Sequence, residues 1–133
     1  MTPEQRKELV RKMWSSYMKK GADGLEEALR CLREDATWTI PGNIPTSGTR
    51  QGKKLISEQF REIREVFPDG FQIRFNKLHD TGEAVIAEMT IWGDNRKGLH
   101  YTNEYCVVNE VRDNLIAHVR VYVDTAKAAP MFD

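Results

Sequence analysis

The apolar residues of this chain recur at helical spacing through most of its first half and at every second position through its second half, with the switch at Pro68-Asp69-Gly70. A period of 3.6 buries one stripe of a helix and a period of 2 buries one face of a strand. A chain that reads first one way and then the other predicts helices laid on one face of an antiparallel sheet, an α+β architecture. In the helical half, Thr2-Pro3-Glu4-Gln5 supplies an N-cap, a proline at the first helical position and a capping-box Gln. Leu9, Val10, Met13, Trp14, Tyr17 and Met18 follow as one apolar stripe that ends at Gly21. A shorter helix is predicted over 23–33, capped by Asp23, with Leu25, Ala28, Leu29 and Leu32 inward. A third spans 52–67, with Leu55, Ile56, Phe60, Ile63 and Phe67 on one side.

A short strand is predicted over 36–40, where Thr37, Trp38, Thr39 and Ile40 are aromatic or β-branched, and Pro41 stops it. Pro41 to Gly48 then reads as a long Pro/Gly loop of the kind that often covers a ligand site. Four strands are predicted over 71–78, 84–92, 99–110 and 115–123, joined by short turns and so antiparallel in sequence. The last residues, 125–133, read as a tail or a helical cap. No repeat, linker or low-complexity segment interrupts the chain, and 133 residues make one domain, 1–133.

Strand parity sorts the side chains of this meander into two faces. Val85, Ala87, Met89 and Ile91 share a face with Tyr101, Asn103, Tyr105 and Val107, and with Val119, Val121 and Val123. That face must meet the helices. The opposite face carries Glu88, Thr90, Trp92, Thr102, Glu104, Cys106, His118, Arg120 and Tyr122, a mixture suited to solvent or to a second subunit. Asn103 is the anomaly: a carboxamide in an apolar row, flanked by two tyrosines. It reads either as a core Asn satisfied by a neighbouring hydroxyl or as a hydrogen-bonding group facing a ligand, because unmet amide groups cost about 1 to 3 kcal/mol when buried.

Charge narrows the partners. Lys and Arg total 20, Asp and Glu total 20, and the net charge is zero. No basic field exists to attract nucleic acid or an anionic membrane, and no run of eighteen apolar residues occurs, so a soluble cytoplasmic protein is expected. Cys31 and Cys106 match no zinc or redox spacing and read as reduced packing thiols. His79, His100 and His118 form no metal pattern, and no glycine-rich phosphate loop or serine-hydrolase elbow is present. No cofactor and no metal are expected.

The order of long helix, short helix, the Glu34-Asp35-Ala36-Thr37 strand, Pro/Gly loop, helix and meander resembles the SnoaL-like, ketosteroid-isomerase-related branch of the NTF2-like superfamily. So do Tyr101-Thr102-Asn103-Glu104-Tyr105, Val111-Arg112-Asp113-Asn114-Leu115-Ile116 and the ending Val119-Arg120-Val121-Tyr122-Val123-Asp124-Thr125. The resemblance implies a cone whose curved sheet and helices enclose an apolar pocket, usually in a homodimer, here through the outer sheet face. The pocket would be lined by Trp14, Tyr17, Trp38, Ile40, Phe60, Met89, Tyr105, Val119 and Val121, with Asn103 and Tyr101 as oxyanion donors. In ketosteroid isomerases a helix-1 Tyr and a strand carboxylic acid hold the enolate while an Asp ending the first strand moves the proton. The matching positions here are Trp14 or Tyr17, Asn103 and Ile40, so the base is missing. The Arg and two Asp of the limonene-epoxide-hydrolase type fall at Tyr101, Asn103 and Val121, and that triad is missing too. Many SnoaL-like members have Glu where this chain has Val121.

The expected activity is therefore that of an isomerase, cyclase or lyase-like enzyme acting on an apolar carbonyl-bearing compound without the usual base. The alternatives are a non-catalytic carrier or sensor of a hydrophobic small molecule and a structural dimerisation domain whose pocket is filled by its own side chains. Asp35 and Asp124 are the nearest acid-base candidates by sequence, and both fall off the inner face.

Overall fold

A computed structural model describes residues 1–133. In chain order the elements are α1 (Pro3–Tyr17), α2 (Leu25–Arg30), β1 (Leu32–Ile40), β2 (Gly48–Gln51), α3 (Lys53–Val66), β3 (Gln72–Asp80), β4 (Ala84–Asp94), β5 (His100–Arg112), β6 (Leu115–Val123) and α4 (Thr125–Ala128), followed by a 3-10 turn over Ala129–Phe132. The strands form one sheet in the order β2-β1-β6-β5-β4-β3. Every pairing is antiparallel except β1 with β6.

The meander follows its local signals. Asp113 and Asn114 both take left-handed backbone conformations, the geometry a two-residue hairpin turn demands, and β5 and β6 run antiparallel from that turn. Register shifts interrupt the ladders near Asn76, between Glu110 and Val111, and between Leu32 and Thr37. Such bulges bend strands, and the sheet curls around α1 and α3 as an open α+β cone.

The first half departs from the expected bounds wherever other elements compete for the backbone. α1 starts at the Thr2 cap with both capping-box bonds in place but stops at Tyr17 rather than near Gly21. Its last carbonyls are claimed from outside: Tyr17 O accepts from the Arg64 guanidinium and Met18 O from the Phe71 amide at 2.8 Å. Gly70, at φ 74°, allows this approach, since a Cβ there would lie 2.3 Å from Met18 O. α2 is shorter than the predicted 23–33 and is entered from Gly24, with no Asp23 side-chain cap. Leu32 and Arg33 belong instead to β1, because the parallel ladder to β6 begins at Leu32 opposite Ile116. β2 adds a strand beyond those expected: Gly48-Thr49-Arg50-Gln51 carries no apolar alternation and is an exposed edge strand against β1.

Candidate functional site

The interior of the cone is a small apolar cavity. Its walls come from Trp14, Tyr17 and Met18 at the end of α1, Trp38 and Ile40 on β1, Gln59 and Ile63 on α3, and Ile91, Tyr101, Tyr105, Val121 and Val123 on the sheet. Phe67 and Phe71 close one side, while Ile44 and Thr46 of the 41–48 loop and Ala128, Met131 and Phe132 of the C-terminal segment close the mouth. Seventeen of the nineteen lining residues are hydrophobic, the other two being Thr46 and Gln59, so no charged side chain faces the interior. The space open to the centre of a water-sized sphere is about 70 Å³.

Both mouth segments are tied down by specific bonds. Ser47 Oγ donates to Pro41 O at 3.1 Å and accepts from Ile44 N at 3.0 Å, and Arg50 donates to the carbonyls of Thr46 and Ser47. Asn95 Nδ2 donates to Met131 O at 3.0 Å while its Oδ1 accepts from Lys97 N and Leu99 N. The Asp124 carboxylate caps α4, accepting from Ala126 N and Lys127 N.

An aromatic cluster makes the floor. Tyr17 stacks on Phe60 with centroids 4.0 Å apart, Trp38 meets Phe60 edge-on at 5.0 Å, and Trp14 lies 5.2 Å from Trp38. Trp14 Nε1 donates to Asn109 Oδ1 at 3.0 Å, and Asn109 Nδ2 donates to Val85 O and Val107 O. The indole proton is thus already used. Behind Tyr17 and Phe71, the buried Arg64 guanidinium sits 5.7 and 5.5 Å from their ring centroids and donates to Tyr17 O and Phe67 O, with no carboxylate partner. Burial lowers its pKa, and its contacts clamp the ends of α1 and α3 together.

The polar feature inside is a relay on β5. Asn103 Oδ1 accepts from Glu104 N at 3.0 Å, and Asn103 Nδ2 donates to Asp124 O at 2.9 Å and to Tyr101 Oη at 3.0 Å. Tyr101 Oη lies 2.6 Å from Tyr105 Oη. Two hydroxyl protons belong to this pair and their mutual bond uses one, so one tyrosine O–H is left without an acceptor in the protein. Burial raises the pKa of Tyr17, Tyr101 and Tyr105 above the ordinary tyrosine value. All three stay protonated donors at neutral pH.

Of the residues expected to line the pocket, Trp14, Tyr17, Trp38, Ile40, Tyr101, Tyr105 and Val121 do so. Phe60, Met89 and Val119 do not: each is fully buried core, Phe60 being screened by the Tyr17 ring. Asn103 is buried, does not line the cavity, and has both amide hydrogens engaged, so it reaches the interior only through Tyr101. Asp35 and Asp124 lie outside the cavity, Asp35 paired with Arg33. Cys31 is buried, but Cys106 is exposed on the outer face and is no packing thiol. Leu55, expected inward on α3, is exposed, and Gln59 takes the inward position. The spacing Ile56, Gln59, Phe60, Ile63 carries that signal, as the alternation Tyr105, Val107, Asn109 carries the signal for Asn109. The contributions of Ile44, Thr46, Met131 and Phe132 depend on how the chain ends fold back and leave no periodic trace. No group of three or more His, Cys, Asp or Glu side chains is placed to hold a metal ion, and no helix is long and apolar enough to cross a membrane.

Comparison with solved structures gives the same architecture. An NTF2-like protein from Burkholderia xenovorans LB400 superposes with a TM-score of 0.80 at 20% identity, covering 100% of this chain and 99% of that one. TerC, co-crystallised with polyporic acid, gives 0.82 at 18% identity over 96% of this chain and 97% of its own. A protein of ketosteroid isomerase-like fold from Catenulispora acidiphila DSM 44928, in complex with trimethylamine, gives 0.77 at 14% identity, covering 96% and 90%. No curated protein matches the sequence. The SnoaL-like domain profile matches residues 9–119, most of the chain, from the middle of α1 through α3 and β5 with the tyrosine relay, and the chain belongs to the SnoaL-like domain family, on an NTF2-like cone.

Proposed function

We propose that this protein takes an apolar, carbonyl-bearing small molecule into the cone and polarises its carbonyl with the unspent tyrosine O–H of the Tyr101–Tyr105 pair. The observation that carries the reading is the Tyr101–Tyr105 hydroxyl pair, held through Asn103 in an interior lined by no charged side chain. A hydrogen-bond donor in a water-poor site acts most strongly on an oxygen gaining charge, which is what isomerase, cyclase or lyase-like chemistry at a carbonyl produces. Asn103 is a positioning residue in this scheme and Tyr101 and Tyr105 supply the donor. Membership in the SnoaL-like family, and structural neighbours crystallised with small molecules, support a cavity ligand.

A second reading, a carrier or sensor, is favoured by a specific observation: no carboxylate, imidazole or amine lines the cavity to shuttle a proton. Size adds a condition to both. The cavity, at about 70 Å³, is smaller than the ~150 Å³ apolar cavity that admits benzene, so a ring compound enters only as the Ile44–Thr46 or Met131–Phe132 wall yields.

Thermal-shift titration against cyclic ketones, steroids, aromatic polyketides, terpenoids and epoxides tests binding. A ligand at a hundred times its Kd adds about 2.7 kcal/mol and raises the melting temperature by several degrees. The expected result is a shift with carbonyl compounds that shrinks in Tyr101→Phe/Tyr105→Phe. Consumption of the stabilising compound then marks an enzyme, and its recovery unchanged marks a carrier. No shift with any compound would contradict both and leave a self-filled structural domain.

A further inference from the structure

Gln59 stands on the buried stripe of α3 between Ile56 and Phe60, where an apolar side chain would serve the fold better. It is 3% exposed, it lines the cavity, and its carboxamide oxygen has no hydrogen-bond partner in the chain. The other buried side-chain atom in that condition, Arg64 Nε, belongs to a guanidinium whose remaining groups bond the carbonyls of Tyr17 and Phe67. Gln59 has no such structural duty. A buried acceptor without a donor destabilises a fold, and a Met or Leu of similar volume would remove that cost. Residues that work against the fold in this way concentrate where a ligand completes them.

The opposite polarity is present on β5, where the tyrosine pair keeps a donor to spare. The interior, which also holds the Tyr17 and Thr46 hydroxyls, therefore offers a spare donor on β5 and an unpaired carboxamide on α3 in an apolar, uncharged surround. We propose that the ligand is an uncharged ring compound carrying two polar groups, a carbonyl that accepts from the tyrosine pair and an O–H or N–H that bonds the Gln59 carboxamide, as in a hydroxylated cyclic or aryl ketone. A charged ligand would find no counter-charge among the lining residues. This inference rests on the cavity being the ligand site and adds to that reading the ligand's second group.

The test uses 4-hydroxyacetophenone and acetophenone, which differ in one hydroxyl donor, titrated calorimetrically into the intact protein. Wild type binds the hydroxylated probe about tenfold tighter, because a site built around a hydrogen bond rejects the analogue lacking it. In Gln59→Met the preference falls to near one while acetophenone binding is kept or improved. Without ligand, Gln59→Met melts above wild type. Equal binding of the two probes by wild type would overturn the inference and leave the cavity reading standing, whereas binding of neither would overturn both. A ligand-free Gln59→Met that melts below wild type would show that the carboxamide is already satisfied within the fold, and would also overturn it.

Discussion

Two asparagines on one strand face show how the same residue type is put to different uses. Asn109, fully buried, spends its amide on Trp14 Nε1 and on the carbonyls of Val85 and Val107, fixing an indole that forms part of the cavity wall. Asn103, six residues earlier on β5, passes its bond to Tyr101 and so to the interior. Asn109→Leu should cost about 1 to 3 kcal/mol, since it leaves the Trp14 N–H buried without an acceptor, and urea denaturation would show it as a lower midpoint. An unchanged midpoint would mean that the indole finds another partner. Asn103 stood out in the sequence because tyrosines flank it, and parity placed it inward. Parity could not show that its amide hydrogens were both occupied, which depends on Asp124 O arriving from the end of β6.

At the scale of elements, the sheet was more legible than the helices' ends. Strands β3 to β6 carry alternation on one face, and their turns carry Gly, Asp and Asn where left-handed backbone is needed, so their order and facing could be read directly. α2 and β2 could not. Gly24 packs its Cα against Ser16 O, where a Cβ would come within 2.3 Å, which delays the start of α2 past its polar cap candidate. β2 exists because β1 offers it an edge, and its own residues say nothing of pairing. The outer sheet face keeps the mixed character that parity assigned it, with Tyr122 47% exposed beside Arg120, which is paired with Glu110. We expect this face to join two copies, with Tyr122, Trp92 and Arg120 as the aromatic and Arg anchors such interfaces favour. Light scattering should give twice the monomer mass, and Tyr122→Glu should return it to the monomer. A wild-type monomer at micromolar concentration would remove the dimer.

For the molecule as a whole, the curled sheet and the aromatic ends of α1 and α3 enclose a small space that is apolar and uncharged, with the tyrosine hydroxyls, Thr46 and the unpaired Gln59 carboxamide as its polar features. Its nineteen lining residues include no Asp, Glu, His, Lys or Arg, so the wall presents neutral groups to a ligand. The fold was largely legible because it follows from periodicity. The site was legible in its sheet and helix walls and hidden in its mouth, where Ile44, Thr46, Met131 and Phe132 are brought together by loop and tail bonds rather than by any repeat. The most direct test of the central claim is the infrared carbonyl stretch of acetophenone bound to the protein. Donation from the tyrosine pair predicts a band at lower frequency than in hexane, returning toward the hexane value in Tyr101→Phe/Tyr105→Phe. A bound carbonyl that absorbs as it does in hexane, or a shift that survives the double substitution, would contradict it.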